Sequence, residues 1–226
     1  MTPHRLTPHR RFTSFFLVAL IAPAVLSGCS SAYFATMEQF GYAKREILVD
    51  RVEDAKEEQK DAKEQFVSTY ERFKAVTGVS GGKLEDTYET LNDSYEDCAE
   101  QAEAVREKIK KVEDVADAMF SEWKTEIGQY SDASLKRQSE ETFDATKRRY
   151  QDLLTSMKKA SGSMDPVLTA FRDRVLFLKH NLNAQAINSL SQTVVAIQGD
   201  VSKLIDDMQA SITEADEFLG AMKSNG

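Results

Sequence analysis

Proline and glycine, the residues that punctuate a chain, are scarce. The four prolines are Pro3, Pro8, Pro23 and Pro166, so none occurs between residues 24 and 165, and glycine adds only ten. Together they reach about half the usual share of a globular chain. A β-sandwich or barrel needs a turn signal roughly every ten residues, which this composition does not supply. Two cysteines are too few for a disulfide framework. Basic residues are outnumbered, 29 Lys+Arg against 37 Asp+Glu, for a formal charge of −8. That balance argues against nucleic acid as a partner, which calls for a basic stripe. What remains is a chain of regularly spaced apolar residues, and the fold class it implies is all-α.

The first 28 residues read as a leader. Arg5, Arg10 and Arg11 give a basic start, and an apolar run from Phe15 to Leu26 follows. Twelve residues are too few to span a bilayer as a helix, which takes about 20, but they suit a secretory h-region. The run ends in Leu26-Ser27-Gly28-Cys29, which resembles the lipobox of bacterial lipoproteins. That resemblance implies cleavage between Gly28 and Cys29, acylation of Cys29, and a membrane as one partner. Two or three acyl chains hold a protein on a bilayer far more firmly than one. By the same resemblance to Gram-negative lipoproteins, Ser30 in place of an Asp implies the outer rather than the inner membrane, with the chain facing the periplasm. Residues 29–226 are then the mature chain, a single elongated helical bundle, and loss of three arginines takes its charge to −11.

Its first half reads as a helical hairpin. Leu48, Val52, Ala55, Gln59, Ala62, Phe66, Thr69, Phe73 and Val76 recur in alternating steps of four and three, a heptad seam. A second seam runs through Leu84, Tyr88, Leu91, Tyr95, Cys98, Ala102, Val105, Ile109, Val112, Ala116, Met119 and Trp123. Gly78-Val79-Ser80-Gly81-Gly82 between them breaks the helix. The spacing predicts helices over about 38–77 and 84–129, folded back so that positions mirrored about residue 80 face each other, Ala62 opposite Cys98 and Leu48 opposite Val112. Continued downward, this register sets Met37 against Trp123 and Phe34 against Ile127. An apolar cluster of Phe34, Met37, Phe40, Trp123, Ile127 and Tyr130 is therefore expected near the lipidated end. It either closes the base of the bundle or touches headgroups, where aromatic rings are at home. The hairpin tip, Thr77 to Lys83, lies farthest from the membrane.

The second half carries two further helices by the same reading. One covers about 135–161, with a seam at Phe143, Thr146, Tyr150, Leu153, Met157, Ala160 and Met164, and ends at Gly162. Asp165-Pro166 has the form of an N-cap followed by proline at the first helical position, which predicts a last helix over 166–222. An unbroken helix of that length would span about 85 Å, twice its predecessor. The seam also loses phase between Leu182 and Leu190, so a break is expected near residue 188, with Asn188 as C-cap and Ser189-Leu190-Ser191-Gln192 as a capping box.

Chemistry-bearing patterns are few. His180 is the single histidine after the leader, and no metal-ligand spacing accompanies it. Lys179, His180, Asn181 and Asn183 form a polar patch inside an otherwise helical pattern. Cys98 falls on the seam, which suits a small buried hydrophobe. The acids Asp206, Asp207, Glu214, Asp216 and Glu217 read as a solvated face. No cofactor and no catalytic residue are called for.

Four segments then stand together: Lys44-Arg45-Glu46-Ile47-Leu48-Val49-Asp50-Arg51-Val52, Gly81-Gly82-Lys83-Leu84-Glu85, Met164-Asp165-Pro166-Val167-Leu168, and Val175 through Ala184. In this order they resemble domain-of-unknown-function family 2959 of Gram-negative bacteria. The resemblance covers nearly all the mature chain and implies an envelope protein rich in coiled coil, with no activity to carry over. The expectation is a lipid-anchored protein that is structural or binds another envelope protein, not an enzyme. The alternative is a module for a lipid or apolar ligand that opens at its membrane end. Antiparallel seams also allow a homo-oligomer.

Overall fold

The computed structural model describes residues 44–76, 83–181, 183, 185, 189, 190 and 193–224. Four long helices dominate: α1 Lys44–Ala75, α2 Lys83–Ile127, α3 Ala133–His180 and α4 Gln198–Ser224, the last preceded by a 3-10 turn, Val195–Ile197. Each packs antiparallel on the next, and α4 closes the ring against α1. The result is an up-down-up-down four-helix bundle.

The hairpin register matches the mirrored spacing. Lys108 meets Asp54 at 3.3 Å, Gln101 donates to Glu58 at 2.6 Å, and Thr69 donates to the Ser94 carbonyl at 3.2 Å, all mirrored about residue 80 or 81 to within a residue. Leu48, Val52, Ala55, Ala62, Phe66 and Phe73 are buried on α1, and Cys98, Ala102, Val105 and Val112 on α2. Across the core, the Phe171 ring of α3 stacks on Phe73 of α1, with centroids 4.8 Å apart.

The second half departs from the expected boundaries. Neither Gly162 nor Asp165-Pro166 ends a helix; α3 runs through both without interruption to His180. The stripe Met157, Ala160, Ser163, Met164, Val167, Phe171, Val175 and Leu178 is buried throughout, so packing holds the helix across the punctuation. Pro166 forgoes a bond to the Gly162 carbonyl and would clash with it in an ideal helix. Gly162, Asp165 and Pro166 are all exposed, so water can reach that carbonyl. The helix stops instead at Asn181, whose backbone N–H donates to the Leu178 carbonyl at 3.0 Å. The break in the predicted last helix thus comes before residue 188. Asn188, Ser191 and Gln192 lie outside the described residues.

A second correction concerns the acids of α4. Asp207 is buried rather than solvated. It accepts hydrogen bonds from the Ser163 hydroxyl, from Lys203 Nζ at 2.6 Å and from Lys159 Nζ at 2.8 Å, tying α4 to α3. Burial pushes its pKa up, but the two ammonium groups and the hydroxyl outweigh that and hold the carboxyl well below the usual range.

Candidate functional site: the two ends of the bundle

The antiparallel ring gives the molecule a base, where α1 begins and α2 ends, and a far end, where α3 terminates. At the base, Lys44 Nζ bonds both Glu122 carboxylate oxygens at 3.1 Å, and Arg45 donates to the Met222 carbonyl. Trp123 is half-buried; its Nε1 donates to Ser139 Oγ at 3.0 Å, and its ring meets Phe143 edge-on at 5.5 Å. Phe120 lies edge-on to Phe143 at 5.6 Å and tilted on Tyr150 at 5.4 Å. A groove of about 310 Å³ opens here, lined by Met119, Trp123, Thr146 and Met222 together with the charged Lys44, Arg45, Glu122 and Glu126.

The expected base cluster is therefore divided. Trp123 and Ile127 turn inward, Ile127 being buried, whereas Tyr130 is 45% exposed. Phe34, Met37 and Phe40 lie outside the described residues, as do Gly28 and Cys29. Phe120 escaped the seam because α2 serves two neighbours. Its first stripe faces α1, and a second, with Val115 and Phe120, widens the buried face, as a bundle helix requires. Leu135, 53% exposed on the first turn of α3, was also missed. Asp132 caps α3, its Oδ1 accepting from the N–H groups of Ser134 at 2.7 Å and Leu135 at 3.0 Å.

At the far end the polar patch resolves into a helix terminus. Lys179 and His180 are exposed in the last turn of α3, where positive charge complements the helix dipole. Asn181 is half-buried and its Nδ2 donates to the Phe177 carbonyl at 2.9 Å, while Asn183 is exposed. The patch brings Lys179, His180 and Asn181 together as the end of α3 rather than around a shared ligand. More distinctive is what surrounds it. Leu176, Phe177 and Val195 are 48%, 44% and 66% exposed. Phe177 and Leu190 line a groove of about 410 Å³ with Asp173, Arg174 and Thr193. Arg174 is held by the carbonyls of Ala170, at 2.7 Å, and Thr193. The hairpin tip Thr77–Gly82 lies outside the described residues.

Between the ends, Cys98 is a buried free thiol that donates to Thr69 Oγ1 at 3.2 Å. Burial pushes its pKa up to about 11, against a smaller downward pull from that hydrogen bond. Among the described residues no group of three His, Cys, Asp or Glu side chains could hold a metal ion, and no helix is long and apolar enough to cross a membrane.

The family model described as "Protein of unknown function (DUF2959)" matches residues 33–222. Neither a curated protein nor a solved structure matches the chain.

Proposed function

We propose, for a chain that belongs to the DUF2959 family of proteins of unknown function, a non-catalytic role as a lipid-anchored envelope protein. It is tethered through Cys29 at the base and docks another envelope protein at the far end. The observation that carries this reading is the placement of Leu176, Phe177 and Val195, large apolar side chains left in water at the end opposite the start of α1. Phe177 lines the groove at this end, and exposed apolar residues that form a patch mark contact surfaces more often than scattered single ones do. α3 alone, with 48 residues, carries this surface about 70 Å from the base. The lipobox-like Leu26-Ser27-Gly28-Cys29 supports the tether, and Ser30 supports the outer membrane.

The test is site-specific photocrosslinking in living cells. A photoreactive residue at Phe177 should capture one discrete envelope protein, and one at Lys136 should not. The capture should disappear in Leu176→Ser. Capture of equal yield from both positions, or none from Phe177, contradicts the docking role. Separately, Cys29→Ser should abolish palmitate labelling and release the protein from the membrane.

A second reading, an apolar-ligand module, draws on the groove beside Trp123. Trp123 is the single tryptophan, so its emission should shift to the blue when palmitate is added to acyl-free protein. A flat titration counts against it.

A further inference from the structure

We infer that the α2–α3 turn is a second membrane contact, a foot that sets Tyr130 and Leu135 at the headgroup level beside the acyl chains. This rests on the lipid-anchor reading above. Large exposed apolar residues are sparse among the described residues, yet two of them, Tyr130 and Leu135, flank this one short turn. Neither belongs to the buried core, against which Trp123, two turns before Tyr130 on α2, is packed. Nor does the turn need them, because Asp132 caps α3 and the N–H groups of Gly128 and Gln129 are satisfied by the Thr125 and Glu126 carbonyls.

The occupant follows from where the tether joins. Lys44 at the start of α1 contacts Glu122 near the end of α2, so the chain leading to Cys29 meets the bundle at the end that carries this turn. Fourteen residues, 30–43, separate the two points and reach at most about 50 Å, less than the length of α3. A tyrosine with an apolar ring and a polar tip suits the interface, and leucine partitions beneath it. Lys124, Lys136 and Arg137 flank the turn, but so do Glu126, Asp132, Glu140 and Glu141. The foot is therefore not a basic patch, and its contact should depend little on anionic lipid or on salt.

The experiment uses the full acylated protein in vesicles of phosphatidylcholine with phosphatidylethanolamine. Cys98 is buried and acylated Cys29 is blocked, so an environment-sensitive dye can be placed by Ser134→Cys, or by Lys179→Cys at the far end. The dye at 134 should emit to the blue and be quenched by brominated lipid, the dye at 179 should do neither, and Tyr130→Ser with Leu135→Ser should abolish both signals at 134. Because both side chains face water, circular dichroism should be unchanged by that pair. A water-like signal at 134, or one indifferent to the pair, overturns the foot while leaving the anchor intact. Absence of acyl chains from Cys29 by mass spectrometry overturns the anchor itself, and the foot with it.

Discussion

Asp207 shows how one side chain can join two helices. Its carboxylate is buried against α3 and held by Ser163, Lys159 and Lys203, while both lysines keep much of their length in water. A carboxyl whose folded pKa lies below its unfolded value of about 3.9 adds stability above that pH and loses it as the pH falls toward the folded value. Asp207→Asn should therefore lower stability at pH 7 by about 1–3 kcal/mol. The gap to wild type should narrow as the pH drops from 5 toward 2, read from urea midpoints. Cys98 makes the opposite case: burial keeps its thiol neutral with a pKa near 11. In Cys29→Ser protein a thiol reagent at pH 8 should react only as fast as the protein opens, and at once in urea. Immediate modification without denaturant would place Cys98 at the surface. Of the two, the cysteine was legible, because its position on a heptad seam dictates burial. Asp207 was not, because it stands beside Asp206 and its partners on α3 lie more than forty residues away.

At the scale of elements, Pro166 decides the architecture. Its sequence context has every local sign of a helix start, yet the stripe from Met157 through Met164, Val167 and Phe171 keeps the 3–4 spacing across it. Each large apolar chain buried along that stripe contributes about 1.5–3 kcal/mol, whereas an interior proline costs about 3 kcal/mol. Several such residues outweigh one proline. Pro166→Ala should then raise stability, by up to about 3 kcal/mol, as a higher denaturation midpoint. If residue 166 opened a helix, alanine there would be neutral or harmful. The first hairpin was readable because glycines separated two clean seams. The third helix was misread because a local cap signal competed with a periodicity that ran past it. The true stop at Asn181 carries no glycine or proline, only an asparagine among other polar residues.

At the scale of the molecule, a continuous α3 fixes which surfaces share an end. It carries Leu176 and Phe177 away from the start of α1 and leaves Tyr130 and Leu135 beside it, and the proposals for a docking end and a membrane foot both depend on that separation. Pulsed electron paramagnetic resonance between spin labels at Lys136→Cys and Lys179→Cys measures it directly. Forty-three residues of unbroken helix place the labels about 65 Å apart. A chain that reversed at Gly162–Pro166 would bring them to about 20 Å, and that distance would contradict the account.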